Sequence, residues 1–136
     1  MRKRSAVKRP VPSEHDEQAQ FVSMVEAAYP ALSALLFAIP NGANKSPVAR
    51  LRFKAEGLRP GVPDMFFAYP CGGRHGLFIE MKRRRGGVIS AEQKAYIAEL
   101  RAAGYIAEVC RGCDDAFAVF AAYLNGVAAN RGKVDK

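Results

Sequence analysis

Short apolar runs alternate with longer amphipathic segments along the chain, and this alternation limits the fold more than any other feature. Apolar residues recur at helical spacing in four segments, whereas four shorter runs have the length and residue types of strands. In chain order the pattern predicts a helix at 14–29, a strand at 35–39, a helix from 47, strands at 65–69 and 77–81, a helix from 91, a strand at 105–110 and a helix ending at 124. This order favours an α/β fold, with a mixed β-sheet flanked by α-helices.

Capping residues mark the starts of several of these helices. Ser46-Pro47 combines an N-cap with proline at the first helical position. Ser90 and Gln93 have the spacing of a capping box, in which each side chain bonds the main chain of the other residue. For the last helix we expect Asp114 or Asp115 to be the N-cap, because a short acidic side chain can bond the first free N–H groups.

The length suits one domain, and both ends of the chain differ from its middle. A chain of 136 residues can bury a hydrophobic core without metal or disulfide staples. Residues 1–12 hold five basic side chains, two prolines and no acid, which predicts a basic flexible arm. Residues 125–136 lack periodicity and predict a flexible tail. Residues 13–124 are therefore the expected single folded domain.

The excess of positive charge indicates the kind of partner. Twenty-one Lys and Arg against thirteen Asp and Glu give a formal charge of +8, which favours nucleic acid or an anionic membrane. No apolar run approaches the roughly 20 residues that span a bilayer, so we expect no membrane partner. The three cysteines lack the spacing of a disulfide framework, and no signal peptide is apparent. We therefore expect a cytoplasmic, nucleic-acid-binding protein without an organic cofactor.

Two short stretches carry the acidic and basic residues that point to chemistry. Pro63-Asp64 precedes one predicted strand, and Glu80-Met81-Lys82 ends the next. Because side chains alternate along a strand, Glu80 and Lys82 lie on one face and Met81 on the other. If the two strands form a hairpin through a turn centred at 72–74, Asp64 lies opposite a residue close to Lys82. Two carboxylates and one ammonium group would then converge.

Such a cluster suits phosphodiester hydrolysis. Carboxylate oxygens are preferred ligands of Mg²⁺, which keeps positions open for water and a phosphate oxygen. The ammonium group of Lys82 would orient the attacking water and stabilise charge on the phosphoryl group. The alternative is that Glu80 and Lys82 form a solvated pair on an exposed sheet face. The preceding residues, Leu77-Phe78-Ile79, are apolar on both faces of the strand, which favours a cleft.

Two stretches resemble the core motif of the PD-(D/E)xK nucleases, which have a restriction-endonuclease-like core: Gly61-Val62-Pro63-Asp64 and Ile79-Glu80-Met81-Lys82. The surrounding residues, from about Glu14 to Arg111, resemble one branch of these nucleases, the VRR-NUC (virus-type replication-repair nuclease) family. The matching features are Glu14-x-x-x-Gln18, Asn41-Gly42, the string from Gly57 to Asp64, and Ser90-x-x-Gln93-x-x-Tyr96.

The resemblance implies a role for each matching residue of the motif. Asp64 and Glu80 would bind a divalent metal, Mg²⁺ with Mn²⁺ as a substitute, helped by the main-chain carbonyl of Met81. Lys82 would be the catalytic lysine. Glu14 would approach the metal directly or through water.

Glu14 and Gln93 each have a second interpretation that is structural. Glu14 and Gln18 lie one turn apart and continue the stripe of Val22, which predicts that they face the sheet. As an acid in the first turn, Glu14 would instead complement the helix dipole. Gln93 would support the site beside the catalytic lysine in the family arrangement and would cap its own helix through Ser90 in the structural one. The two roles of Gln93 are compatible.

Basic residues near the motif are candidates for phosphate contacts. Arg83, Arg84 and Arg85 follow the motif lysine directly, and adjacent cations repel one another unless an anion lies close. We therefore predict that these three arginines bind DNA, together with Lys45 and Arg50. The alternative is a solvated basic face.

The resemblance implies an endonuclease for structured DNA. Small members of the family are similar to phage Holliday-junction resolvases, which act as homodimers with one active site per subunit; the two-fold symmetry of a four-way junction suits such a dimer. The alternatives are a nuclease for flaps or nicks, a DNA-binding module that has lost catalysis, and a DNA-packaging protein, which leaves the motif unexplained. Phe117, Phe120 and Tyr123 are candidates for the dimer interface, unless they pack against the sheet.

Overall fold

The computed structural model describes residues 10–41 and 46–132. Within them the helices are α1 (Glu14–Ala28), α2 (Pro47–Ala55), α3 (Ala91–Ala102) and α4 (Cys113–Leu124). The strands are β1 (Leu36–Ala38), β2 (Met65–Phe67), β3 (Leu77–Lys82) and β4 (Ile106–Arg111), and a 3₁₀ turn at Ser33–Leu35 precedes β1. Each predicted helix and strand is present in the predicted order, which confirms the α/β fold. None of the helices in these ranges is long and apolar enough to cross a membrane.

Several predictions concern residues outside the described ranges. They are the basic arm over residues 1–9, Gly42 of the Asn-Gly pair, the DNA contact of Lys45, and the end of the tail at 133–136. These statements stay predictions. The division of the chain at residues 12 and 124 also stays a prediction.

The four strands form one mixed sheet in the order β1-β2-β3-β4. Both pairs that involve β2 are antiparallel, and β3 and β4 are parallel, so α3 provides the crossover that a parallel pair requires. Met65 pairs with Ile79, and continuing this register by one residue places Asp64 opposite Glu80. The prediction that Asp64 lies opposite a residue close to Lys82 is therefore confirmed: the partner is Glu80, two residues before Lys82, because the hairpin is centred on Gly72, at the start of the predicted range.

The hydrophobic core lies between one face of the sheet and the helices α1 and α4. Phe21 of α1 and Phe120 of α4 are fully buried with Phe67 and Ile79 of the sheet. The ring of Phe120 has its centroid 6.1 Å from that of Phe21 and 4.5 Å from that of Phe67. Tyr123 is buried as well. Of the two interpretations of the aromatic residues in α4, packing against the sheet is therefore correct for Phe120 and Tyr123.

The buried stripe of α1 differs from the predicted one. Glu17, Phe21 and Val25 are buried, whereas Glu14 and Gln18 are half-buried. Residues four apart share one face of a helix, so the three buried residues form the stripe that faces the sheet. Glu14 and Gln18 lie at its edge, and the prediction that they continue the inner face is wrong in this respect.

The start of α4 also differs from the prediction. The N-cap is Gly112, with φ +90°. Glycine has no side chain that could cap the helix. Instead the carboxylate of Glu17, in α1, accepts a hydrogen bond from the main-chain N–H of Cys113. A distant side chain thus satisfies the free N–H group, and neither Asp114 nor Asp115 is required as the cap. The predicted caps Ser46 and Ser90, by contrast, are confirmed.

The segment after α4 packs against β4, although the sequence pattern predicts only a tail there. Asn130 accepts a hydrogen bond from the main-chain N–H of Ala107 at 2.9 Å and donates one to the carbonyl of Tyr105 at 3.1 Å. Arg131 forms an ion pair of 2.6 Å with Glu108, which is buried. These contacts cover the outer edge of β4, where main-chain groups would otherwise lack partners.

Candidate active site

Asp64 and Glu80 approach each other from neighbouring strands. Asp64 immediately precedes β2, and Glu80 lies opposite it in β3. The main-chain N–H of Met81 donates a hydrogen bond to Asp64 Oδ2 at 2.8 Å, which joins the two strands beyond their last ladder pair. The structure therefore brings together the two acids that the sequence singled out.

Lys82 and Gln93 complete this group around Glu80. Lys82 Nζ lies 3.4 Å from Glu80 Oε1, and the two side chains are only 9% and 3% exposed. Gln93 Nε2 donates a hydrogen bond to the same oxygen at 2.7 Å. Glu80 Oε2 is buried and has no hydrogen-bond partner among the residues that the structure describes. An unpartnered buried carboxylate oxygen is unfavourable, so this atom indicates a site shaped for a cation.

Gln93 makes two sets of contacts, one with Ser90 at the start of its own helix and one with Glu80. Its side-chain Oε1 accepts a hydrogen bond from the main-chain N–H of Ser90 at 2.9 Å, and its main-chain N–H donates one to Ser90 Oγ at 3.1 Å. These two bonds form the capping box. Its side-chain nitrogen, Nε2, is not used in the capping box and donates to Glu80. One side chain therefore ties the start of α3 to the acid in β3.

The loop before Asp64 lies very close to the first turn of α3. Gly61 has φ +85°, and a Cβ there would lie 2.4 Å from the Glu92 carbonyl oxygen and 2.9 Å from Gln93 N. Only glycine permits this backbone conformation together with so close an approach. The glycine of the Gly-Val-Pro-Asp stretch thus sets the separation between Asp64 and Gln93.

Burial raises the pKa of both carboxyl groups. For Glu80, burial is the largest cause and the negative charge of Asp64 adds to it; together they raise the pKa to about 7 in spite of Lys82. Burial also raises the pKa of Asp64, although the hydrogen bond from Met81 and the charge of Lys82 act in the opposite direction. A divalent cation between the two acids would relieve their repulsion and favour the ionised form of both.

The oxygen atoms at this site fit a small, hard cation. In residues 10–41 and 46–132, no three His, Cys, Asp or Glu side chains are arranged to hold a metal ion together. Asp64 and Glu80 are the side chains that could hold such an ion, and the carbonyl of Met81 and water would supply the rest. Mg²⁺ is commonly held by one or two carboxylates with several waters retained, so the donor set fits the ion.

Glu14 lies near this group without joining it. Its negative charge contributes to the raised pKa of Asp64. Glu14 Oε1 and Lys82 Cδ each lie 3.5 Å from the position that a Cβ on Gly87 would take. Glu14 is not part of a three-acid cluster within the described ranges, so its predicted approach to a metal, directly or through water, stays a prediction.

The three adjacent arginines differ in their surroundings. Arg84 Nε lies 2.9 Å from Glu17 Oε1, and Arg84 Nη2 lies 3.2 Å from Asp114 Oδ2. Arg83 and Arg85 are exposed, and neither forms an ion pair with a described residue. Arg84, which we predicted to bind DNA with its two neighbours, is 46% exposed and differs from them in that it forms ion pairs with two carboxylates of the protein itself.

A cleft of about 520 Å³ opens beside Asp64 and Gln93. Three cationic side chains line it, Arg50 and Lys54 from α2 and Arg59 from the following loop. Arg50 was a predicted DNA contact, and it lines the same cleft as Asp64. Lys54 and Arg59 were not singled out, although their nearness in sequence to the motif loop was a usable signal.

Glu17 was not predicted from the sequence either. Its side chain is 2% exposed and bonds both Arg84 and the start of α4. The available signal was its spacing, because Glu17, Phe21 and Val25 recur every four residues. An acid in an apolar stripe of a helix requires a buried partner.

Comparisons with known proteins agree with this fold. The model of the VRR-NUC domain family matches residues 3–114. A solved structure described as a VRR_NUC domain protein shares the fold, with a TM-score of 0.76 and 23% sequence identity over 92% of this chain and 98% of that chain. No curated protein matches the sequence. Because the family model matches most of the chain, including Asp64, Glu80 and Lys82, the chain belongs to the VRR-NUC family, whose domain is a nuclease of the PD-(D/E)xK type.

Proposed function

We propose that this protein is a divalent-metal-dependent endonuclease that hydrolyses phosphodiester bonds in branched DNA. The observation that carries the proposal is the buried Glu80 Oε2 without a partner, next to Asp64 and Lys82. A group of this kind has no evident structural purpose, since its buried charges are costly to the fold. It is accounted for if it binds a cation and a phosphoryl group.

The proposed mechanism assigns each residue one task. Asp64, Glu80 and the carbonyl of Met81 would hold Mg²⁺, for which Mn²⁺ would substitute; the bound ion supplies a Lewis acid for the phosphoryl oxygen and acidifies a water molecule. Lys82, held by Glu80, orients the attacking water and stabilises the negative charge that develops on the phosphoryl oxygens. Gln93 occupies Glu80 Oε1 and so leaves Oε2 available. Water adds to phosphorus as the bond to the leaving oxygen breaks.

Cations on two sides of the site would bind the DNA backbone. Arg50, Lys54 and Arg59 line the cleft beside Asp64. Arg83 and Arg85 follow β3 directly and are exposed. A cationic surface around the site raises the local concentration of DNA and positions its phosphates without reading the base sequence.

The preferred DNA structure and the oligomeric state belong to the same proposal. We place the protein among homodimers that resolve four-way junctions, since a two-fold dimer would bring two such sites to opposing strands. Exposed apolar side chains on β1 and α2 support a protein interface: Phe37 is 47% exposed, and Val48 and Leu51 are each 69% exposed. Light scattering should then give twice the 14.8 kDa chain mass, and a monomer on and off DNA would end the dimer model.

Two alternatives remain within the nuclease family. A flap- or nick-directed nuclease would use the same acids and lysine on a different DNA structure. A DNA-binding module without catalysis would have no physical reason to retain a buried Lys82 beside Glu80 and an unpartnered oxygen. A cytoplasmic location is also part of the proposal, supported by the three cysteines, which are unpaired in the structure.

A panel of labelled DNA substrates tests the proposal. Duplex, nicked, flap, fork and four-way junction DNA are incubated with the protein in EDTA, Mg²⁺ or Mn²⁺. We expect cleavage only with a divalent metal and fastest on the junction, at paired positions on opposing strands. Faster cleavage of flaps or nicks would favour that alternative, and binding without cleavage under every metal condition would favour the silent module.

A further inference from the structure

Arg84 forms ion pairs with the protein itself although it lies in the middle of a basic run and its side chain is 46% exposed. Its Nε donates a hydrogen bond to Glu17 Oε1 at 2.9 Å, and its Nη2 donates to Asp114 Oδ2 at 3.2 Å and lies 3.6 Å from Cys113 Sγ. Glu17 is buried, and its other oxygen accepts the main-chain N–H of Cys113. Loss of Arg84 would therefore leave a buried carboxylate without its cationic partner, which is strongly unfavourable.

Gly112 connects this ion pair to the lysine of the site. Its N–H donates a hydrogen bond to the carbonyl of Lys82 at 3.0 Å. A Cβ on Gly112 would lie 2.9 Å from Arg84 Cγ and 3.1 Å from Glu17 Oε2, and the residue has φ +90°. The ion pair and the Lys82 main chain thus contact the same glycine, and a shift of the pair would be transmitted to the end of β3.

Helix α1 extends this link to the acidic side of the site. Glu17 lies one turn after Glu14 in α1. Glu14 Oε1 and Lys82 Cδ are both 3.5 Å from the Cβ position of Gly87, so they flank the same short stretch of loop. Because Arg84 bonds α1 to the residues that follow β3, it also fixes where Glu14 stands relative to Lys82.

The charges of this pair are stable near neutral pH. Burial by itself would raise the pKa of Glu17, but the hydrogen bonds from Arg84 and from the main chain of Cys113 outweigh it and hold the pKa below its usual value. Glu17 is therefore ionised, and the guanidinium of Arg84 is always charged.

We infer that Arg84 is a positioning residue which, with Glu17, fixes the end of β3 so that Lys82 stays beside Glu80, and that Arg84 does not bind DNA. The inference rests on the proposed function, because it divides the basic run between cleavage and binding. All three arginines are exposed, but Arg83 and Arg85 form no ion pairs with described residues, so they would be the phosphate contacts.

The first experiment measures DNA binding without cleavage. The affinity of wild type, R83Q, R84Q and R85Q for a four-way junction is measured in EDTA over a range of salt concentrations. Each lost phosphate contact makes the slope of log affinity against log salt shallower by about one. We expect shallower slopes for R83Q and R85Q and a wild-type slope for R84Q; a shallower slope for R84Q would overturn the inference. This result does not depend on cleavage, so it remains decisive if the protein proves not to be a nuclease.

The second experiment measures the cleavage rate at saturating protein concentration, where binding no longer limits it. We expect R84Q and E17Q each to cut about tenfold more slowly or worse, because small displacements at a catalytic group are costly. The double variant should be no slower than the slower single variant, since both changes remove one contact. As a control, E26Q changes an exposed glutamate of the same helix and should keep the wild-type rate. A wild-type rate for R84Q, or multiplied losses in the double variant, would contradict the positioning role.

A conservative variant keeps the test decisive if R84Q does not fold. Lysine in R84K retains the positive charge, but it lacks the planar guanidinium that bonds Glu17 and Asp114 together. We expect R84K to fold, to bind DNA with the wild-type salt slope and to cut more slowly than wild type. A wild-type cleavage rate for R84K would overturn the inference.

Discussion

Removing the charge of Glu80 should stabilise the metal-free protein at neutral and alkaline pH. Glu80 is 2% exposed, and its ionised form lies beside a second acid, Asp64, with the single ammonium group of Lys82 3.4 Å from Glu80 Oε1. The change Glu80→Gln keeps the shape and leaves one negative and one positive charge, those of Asp64 and Lys82. The change removes a buried negative charge that is not balanced within the group, so the free energy of unfolding should rise.

The size of the gain follows from the pKa of Glu80, which burial and the charge of Asp64 raise from 4.5 to about 7. Each tenfold difference in proton affinity corresponds to about 1.4 kcal/mol, so the full effect is up to about 3 kcal/mol. Below pH 4.5 the acid is protonated in both folded and unfolded chains and costs nothing. Between pH 4.5 and about 7 the unfolded chain has released this proton while the folded site still holds it, so stability falls across this interval and levels off above pH 7.

Urea denaturation in EDTA between pH 4 and pH 8.5 measures this effect. The free energy of unfolding of Glu80→Gln should match that of wild type near pH 4 and exceed it by up to about 3 kcal/mol above pH 7. Added Mg²⁺ should stabilise wild type and leave the variant nearly unchanged, since binding to the folded state alone shifts the equilibrium. Glu26→Gln, on the exposed side of α1, should show neither effect. A variant less stable than wild type at pH 8 would refute the reasoning.

Two further predictions test the packing that positions the site. Gly61→Ala should destabilise the protein by about 2 kcal/mol more than Gly57→Ala, because both have positive φ but only at Gly61 would a Cβ meet the main chain of α3; equal losses would contradict the close approach. Arg131→Ala should cost about 1–3 kcal/mol, measured by urea denaturation, since it removes one of the cations bonded to the buried Glu108; an unchanged midpoint would show that the segment after α4 does not stabilise the sheet.

Much of the fold and the heart of the site could be predicted from local sequence patterns. Periodicity located the helices and strands, and the capping pair Ser90 and Gln93 identified the start of α3. The alternation of side chains placed Glu80 and Lys82 on one face, and counting through the hairpin placed Asp64 within two residues of its true register. These predictions succeeded because the determining contacts lie within one element or one turn.

The remaining features depend on residues that are far apart in sequence. The N-cap function at α4 comes from Glu17, 96 residues before Cys113, and Arg84 pairs with the same acid across 67 residues. No local pattern reveals such a partner, so the ion-paired Arg84 could not be separated from Arg83 and Arg85. The docking of Asn130 likewise depends on the free edge of β4, which is apparent only once the strand order is known.

The cleavage rate of Lys82→Ala on a labelled four-way junction tests the central claim most directly. The rate is measured at saturating protein in Mg²⁺, with binding measured in EDTA and with Lys94→Ala, in α3, as a matched control. We expect Lys82→Ala to cut roughly 100-fold more slowly or worse while it still binds the junction, because binding rests on many dispersed cations whereas Lys82 serves the reacting phosphate. Lys94→Ala should cut as wild type does. A Lys82→Ala protein that cuts at the wild-type rate would contradict the assignment of this group as the active site.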